Sequence, residues 1–282
     1  KRGAHNGLAG LRRIAGEVRA PDAGAIAYCA QGSWRTALLA MAAGYRQRVG
    51  FDTSAGRWLY TRRTPYRANR HHAERLLRLG AGDDAAFSPE DLRPSLFPGP
   101  TERSAVDALL GAAQAPLIAL APGSIWATKR WPGFADLARR LRDTGRLVIV
   151  GSGDDRPLAQ EIVAATGGAA LDATGRLSLL ASAELIRRAA LLVTNDSAPQ
   201  HLASAVGTRT LTLFGPTVEA FGFGPLAPGS ATVGHAALHC RPCHPHGPTS
   251  CPLGHWRCMR ELDAARVARR ALALLAAPPH SA

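Results

Sequence analysis

Short apolar runs recur along this chain, and between them apolar residues fall at helical spacing. In the first third, AGAIAYCA (23–30) reads as a strand, a Gln-Gly-Ser turn follows, and WRTALLAMAAG reads as a helix. RVGFD (48–52) is the next predicted strand, and RANRHHAERLLRLG (67–80) carries the pattern of a basic amphipathic helix. Residues 81–116 hold Pro89, Pro94, Pro98 and Pro100 among Gly and Ser, which predicts a linker or domain edge. A second series is cleaner. PLIALAPG (116–123) is a buried strand, and PGFADLARRLRDTG (132–145) a helix with Pro132 at its start and Gly145 at its close. RLVIVGSG (146–153) runs as a strand into a Gly-rich turn, and DRPLAQEIVAATGG and SLLASAELIRRA are helices. LLVT (191–194) is a strand, Ser197–Val206 a helix, and TRTLTLFGPT (208–217) a strand into a turn.

Short apolar strands alternating with helices predict an α/β fold with parallel, doubly wound sheets. The punctuation divides the chain into a first domain, 1–112, and a second, 113–282. In such sheets ligands sit at the carboxyl ends of the strands, which singles out the loops 121–131, 151–155, 194–201 and 214–221.

Loop 121–131, APGSIWATKRW, brings Ser124, Thr128, Lys129 and Arg130 together ahead of a helix. Small hydroxyls and an ammonium there suit a diphosphate, since a helix N-terminus carries unpaired N–H groups and a positive dipole. A surface lysine beside core tryptophans is the plain alternative. No G-x-x-x-x-G-K-[ST] pattern occurs, so this is not the phosphate loop of the NTPases. In GSGDD, Asp154 or Asp155 can accept from ribose hydroxyls or simply cap the helix that follows. In TNDSAPQH, Asp196 or Ser197 can cap a helix whose first turn holds Pro199, with the N–H groups near Ala198 and the side chain of His201 at the strand's end. The G-x-S-x-G elbow of a serine hydrolase is absent around Ser197.

Charge narrows the partners. The chain of 282 residues has 34 Lys+Arg against 21 Asp+Glu, a net +13, which points to anionic partners. Arg so outnumbers Lys that Lys1 and Lys129 are the only lysines. Stacking aromatics are not interleaved with the basic runs, which argues against a nucleic-acid binder. There is no run of 18 apolar residues and no signal-peptide core, so no transmembrane segment is expected. Four of five cysteines cluster between 240 and 258, unlike a secreted disulfide framework, and a reducing cytoplasm is expected. In CRPCHPHGPTSCPLGHWRC, Cys240, Cys243, Cys251 and Cys258, with His239, His244, His246 and His255 nearby, resemble a structural zinc site; buried thiols pinning a loop are the alternative.

Several of these segments resemble one family. APGSIWATKRWP is similar to its PGS-x-W-x-T-K-x-W-P segment, VTNDSAPQHLASAVG to its TNDSG-x-x-H-x-A-A-x-G signature, and LTLFGPT to the strand and turn after it. QGSWRTALLA, RVGFDTSAGRWLYTRR and HHAERLL resemble its first-domain pattern. The chain is identified as a member of the ADP-heptose lipopolysaccharide heptosyltransferases, and CRPC…CPLGHWRCM is most similar to the heptosyltransferase II branch. The resemblance implies a GT-B architecture, two Rossmann-like domains facing across a cleft, with the first incomplete at its N-terminus. It implies an inverting transfer of heptose from ADP-L-glycero-D-manno-heptose to a phosphorylated Kdo-lipid A acceptor, with no cofactor required. The enzyme would work in the cytoplasm, peripheral on the inner face of the inner membrane.

Carried over residue by residue, Lys129 would bind the diphosphate with Ser124 and Thr128 beside it, and Asp155 would meet the ribose. Asp196 would meet the heptose, backbone N–H groups at Ser197 and Ala198 would hold phosphate, and His201 would support the loop. Lys129 and Asp196 are thus the catalytic candidates. Arg35, Arg46, Arg48, Arg70 and Arg75 are candidate acceptor contacts. The family's G-D-x-x-x-T-x-P loop, which supplies the general base Asp, has no counterpart here; the chain therefore reads as lacking its first strand–loop–helix, with Asp52 the nearest acidic residue. The signature Gly is Ala198, so that position is expected to avoid φ > 0. Two other readings stay open: a non-catalytic ADP-sugar-binding remnant, and a related glycosyltransferase with another nucleotide-sugar donor.

Overall fold

A computed structural model describes residues 7–111 and 116–278. The opening KRGAHN and the expected boundary at 112/113 lie outside the described residues. The chain divides into two compact units, Lys1–Leu92 and Arg93–Ala282.

The first unit runs α1 (Gly7–Glu17), β1 (Ile26–Cys29), α2 (Trp34–Ala42), β2 (Gln47–Phe51), β3 (Arg62–Thr64) and α3 (His72–Ala81). Its three strands form a parallel sheet in the order β1-β2-β3. Ser33 starts α2 by accepting the Arg35 N–H at 3.2 Å. The basic helix expected from residue 67 begins only at His72, because the preceding turn is held open. Arg75, buried, donates to the carbonyls of Ala68 (3.1 Å) and Arg70 (2.7 and 2.9 Å) and lies over the Tyr66 ring. Carbonyls bound to a guanidinium in this way need no helical partner.

The second unit continues with α4 (Pro100–Leu110), β4 (Leu117–Ala121), α5 (Phe134–Leu141), β5 (Arg146–Ile149), α6 (Arg156–Ala165), β6 (Leu171–Asp172), α7 (Leu179–Arg187), β7 (Leu191–Asn195), α8 (Ala198–Val206), β8 (Thr210–Phe214), β9 (Ala231–Gly234), α9 (Arg257–Arg260) and α10 (Ala264–Ala276). Six parallel strands order as β6-β5-β4-β7-β8-β9, so the sheet winds outward in both directions from β4 and β7. The unbroken apolar run Leu117–Ala121 is explained by burial on both faces. Ile118 and Leu120 pack with α5, α6 and α10, whereas Leu117, Ala119 and Ala121 pack with α4, α7 and α8. Each such buried Leu or Ile contributes about 1.5–3 kcal/mol relative to exposure.

The predicted linker is partly a helix. Pro100 sits in the first turn of α4, where its missing N–H costs nothing, and Glu102 reaches back to the Gly99 N–H at 2.7 Å. Val106 is fully buried beside α7. The α4–α7 contact is also ionic: Arg188 bonds Asp107 (2.5 Å) and Glu184 (2.7 Å), and Arg187 bonds Glu184 at 2.6 Å. Glu184 is fully buried. The hydrogen bond from Arg187, opposed by burial and reinforced by Arg188, holds its carboxyl below the usual glutamate range. A depressed folded pKa means stabilisation present above the ordinary glutamate range and lost as pH falls through the folded value. Glu184→Gln is therefore expected to cost about 1–3 kcal/mol at pH 7. Urea unfolding at pH 7 and pH 3 should show that cost shrinking on acidification; a pH-independent difference would contradict the ionic assignment.

Candidate functional site

The strand order reverses between β4 and β7, and the loops leaving their carboxyl ends part there to open a crevice. Asn195, the last residue of β7, bridges the two loops. Its side-chain amide donates to the Pro122 carbonyl at 2.8 Å and its Oδ1 accepts from the Trp131 N–H at 3.2 Å, with no solvent exposure. One residue on, Asp196 is 8% exposed. Its Oδ2 accepts from Lys129 Nζ at 2.7 Å and from Thr217 Oγ1 at 2.7 Å, and its Oδ1 from Gln200 Nε2 at 3.4 Å. Gln200, itself fully buried, also donates to the Phe223 carbonyl (2.6 Å) and accepts from Thr212 (2.9 Å). A buried ion pair is tolerable only when its remaining valences are met, and Thr217 and Gln200 meet those of the Asp196 carboxylate.

Ser197 takes the extended conformation ahead of α8, but its side chain makes no cap hydrogen bond; it donates instead to the Asn195 carbonyl at 3.3 Å. The capping role expected of Asp196 or Ser197 is thus not made. Asp196 is engaged by Lys129, and the first turn of α8, with Pro199 in it, is not closed by its own cap. Ala198 is helical and unstrained: among the described residues, Trp256 is the non-glycine with positive φ.

A cavity of about 670 Å³ lies over these elements. Ser124, Lys129, Asp155, Asp196, Ser197, Ala198 and His201 all line it. Thr128 does not; it is buried, and its hydroxyl donates to the Pro248 carbonyl. Asp155 Oδ2 accepts from the Ser152 N–H (2.8 Å) and hydroxyl (2.9 Å), closing the turn ahead of α6. Its carboxylate fills the space over Gly123, where a Cβ would come within 2.2 Å of Oδ1, so the Pro-Gly turn and the GSGDD turn fit together only with glycine. Val150, Leu177, Leu179 and Leu202 add apolar surface to the cavity lining, and Lys129 and Arg130 add cationic groups.

In the first unit the arginines separate into two kinds. Arg48 donates to the carbonyls of Leu59 (2.7 Å), Tyr45 (2.5 Å) and Arg46 (3.3 Å), and Arg75 is engaged as described above; both hold backbone rather than facing outward. Arg35 and Arg70 are exposed, with Arg35 near the Trp34 ring and Arg70 3.8 Å from Glu74. Asp52 accepts the Tyr66 N–H at 2.9 Å, a loop contact.

The zinc expectation finds no ligand set. Among the described residues no three His, Cys, Asp or Glu side chains converge to hold a metal ion. The Arg241 guanidinium lies close enough to Cys240, Cys243 and Cys258 to act on them electrostatically. Burial pushes the Cys258 thiol up to about 11 despite Arg241. Burial also pushes Cys251 up, but the backbone around Trp256, Leu253, His255 and Gly254 outweighs it and leaves that thiol below its usual range. Thiolate is the reactive form, so among the four clustered cysteines iodoacetamide at pH 7.5 is expected to label Cys251 first and Cys258 last, read by peptide mass spectrometry. The reverse order would contradict this arrangement of charges.

Reasoning from sequence missed Thr217 and Gln200, the other two partners of Asp196. The signals were small: a Thr closing LTLFGPT, and a polar residue where the α8 pattern turns inward.

A parallel sheet in this order, with a glycine-bordered and partly cationic cavity at its switch point, defines a doubly wound domain of the nucleotide-binding kind. The chain belongs to glycosyltransferase family 9 (heptosyltransferase), whose family model matches residues 12–253. It is 29% identical over 275 residues to lipopolysaccharide heptosyltransferase 1 of Pseudomonas aeruginosa, covering 88% of this chain and 73% of that protein. It is 30% identical over 166 residues to lipooligosaccharide heptosyltransferase 2 of Campylobacter jejuni, covering 56% of this chain and 51% of that protein, about half its length. The solved structure of ADP-heptose lipopolysaccharide heptosyltransferase II of Escherichia coli matches with a TM-score of 0.73 at 24% identity, over 94% of this chain and 80% of that one. A glycosyl transferase family 9 protein of Veillonella parvula matches with a TM-score of 0.75 at 24% identity, over 98% and 80%. At that identity the two structures establish the parallel α/β fold. Among the described residues no helix is long and apolar enough to cross a membrane.

Proposed function

We propose that this chain transfers heptose from ADP-L-glycero-D-manno-heptose to the phosphorylated, Kdo-lipid A-linked inner core of lipopolysaccharide, with inversion at the anomeric carbon. The observation that carries this reading is the buried ammonium of Lys129, 2.7 Å from Asp196 and facing the same cavity as the start of α8. A diphosphate fits there, held by Lys129 and by the first N–H groups of α8. The apolar lining at Val150, Leu177 and Leu179 suits the base, and the turn at Asp155 suits the ribose.

As the glycosidic C–O bond breaks, negative charge grows on the diphosphate oxygen. A cation fixed beforehand in a low-dielectric site stabilises that charge without reorganising. Asp196 does this fixing. Its carboxylate already accepts from Lys129, Thr217 and Gln200, which makes it a poor proton acceptor, so the base that deprotonates the acceptor hydroxyl is another group. The exposed Arg35 and Arg70 suit the phosphates of an acceptor whose lipid keeps the reaction at the membrane surface. Calorimetric titration tests the donor: ADP and ADP-heptose should bind at least about tenfold more tightly than UDP or GDP. Equal affinities would end the ADP reading. Heptose transfer to the lipid acceptor tests the reaction itself.

A further inference from the structure

The segment after β9 is tied to this site at both of its ends. At one end, Arg241 donates to four backbone carbonyls: Phe214 (2.9 Å), Thr217 (3.0 Å), Gly215 and His235. The Cys243 N–H adds a bond to the Pro216 carbonyl at 3.1 Å. These contacts fasten the segment to the turn that carries Thr217, whose hydroxyl donates to Asp196. At the other end, Gly247 has φ +85 and lies on the Lys129 side chain, where a Cβ would come within 2.9 Å of Cε. Pro248 accepts the Thr128 hydroxyl. Between these anchors, Pro245 and His246 line the cavity, and the His246 N–H closes onto His244 Nδ1 at 3.0 Å.

We infer that Arg241–Pro248 is a built wall of the donor pocket, that His246 on it gives a hydrogen bond to the diphosphate beside Lys129, and that Arg241 is the positioning residue. This rests on the ADP-linked donor proposed above. The residue after His246 lies against the Lys129 side chain, and His246 and Lys129 line the same cavity. An imidazole offers at least one N–H in either protonation state, which suits a phosphate oxygen. Arg241 is suited to its task because one planar guanidinium with five N–H groups spans carbonyls from two different turns; a lysine's ammonium cannot.

The test is calorimetric titration of ADP and adenosine into the full chain, as wild type, His246→Ala, His246→Gln and Arg241→Lys, with a thermal melt of each. His246→Ala should lower ADP affinity about tenfold or more while leaving adenosine affinity and the melt unchanged. His246→Gln, which keeps an N–H donor, should recover most of the loss. Arg241→Lys should show the same selective loss for ADP, since the segment's foothold, not the base site, is what it weakens. His246→Ala binding ADP as tightly as wild type, or losing ADP and adenosine alike, overturns the His246 contact. Arg241→Lys binding ADP like wild type overturns the positioning role. A wild-type chain that does not bind ADP at all removes the donor reading and this inference together.

Discussion

Lys129→Ala is expected to lose ADP affinity by at least about 100-fold, the largest binding effect of any single change in the pocket. Two consequences of the substitution act in the same direction. The diphosphate loses a charge-assisted hydrogen bond from a nearly buried ammonium, roughly 1.5–3 kcal/mol. Asp196 then keeps its negative charge with only Thr217 and Gln200 as partners, and repels the incoming anion. At about 4 Å and an effective dielectric near 20, such a repulsion is on the order of 4 kcal/mol before relaxation. About 3 kcal/mol in total already exceeds a factor of 100. The same variant should be less stable, since a buried carboxylate without its cation costs about 3–5 kcal/mol. Lys129→Met combined with Asp196→Asn separates the two effects. Stability in urea should largely return, because no charge is left unpaired, whereas ADP binding should not. Folded Lys129→Ala protein that binds ADP like wild type would refute the assignment.

The sheet of the second unit was legible because its strands are short apolar runs, such as LIALA and LLVT, set between turn residues and helical patterns. Once those strands were placed, the parallel rule put their outgoing loops on one edge, and with them Lys129 and Asp196. What the sequence did not disclose is pairwise. Lys129 and Asp196 are 67 positions apart, and nothing local says that one neutralises the other. Capping by Asp196 was a sound local expectation that its long-range contact with Lys129 overrode, and the Ser197 hydroxyl turned to the Asn195 carbonyl. The helix α4 was hidden by its prolines, although Pro100 stands where proline is favoured and a single side chain, Val106, is fully buried on its inward face. The cysteines were the more conspicuous feature of the 240–258 segment, yet Arg241, written between two of them, is what holds that segment in place. A guanidinium meeting carbonyls has no sequence pattern, since carbonyls belong to every residue. Arg48 and Arg75 were read as acceptor contacts, and their bonds to carbonyls went unseen for the same reason.

Trp131→Ala is expected to destabilise the protein by about 3–5 kcal/mol, because it removes a large buried ring and leaves a cavity. The Trp131 ring is 3% exposed, meets Phe134 edge-on at 5.2 Å between centroids, and donates from Nε1 to the Leu262 carbonyl at 3.0 Å. It also explains Gly133, where a Cβ would come within 2.2 Å of the ring. Two residues before it is Lys129, and its backbone N–H is the one that Asn195 receives. Trp131 therefore anchors the far end of the lysine loop to the segment that leads into α10. Trp131→Phe tests which part of that anchor matters. It keeps an aromatic ring in the core and the backbone bond to Asn195, and loses the bond to Leu262, so about 1–2 kcal/mol of stability should go. ADP affinity should stay within about threefold of wild type, because the Lys129–Asp196 pair is set by the backbone contact and the surrounding core, not by the indole N–H. Chemical unfolding and calorimetry on the same preparations measure both. If Trp131→Phe lost ADP as completely as Lys129→Ala while remaining folded, the indole itself would have to be part of the site, and the division of labour between anchor and ammonium would be wrong.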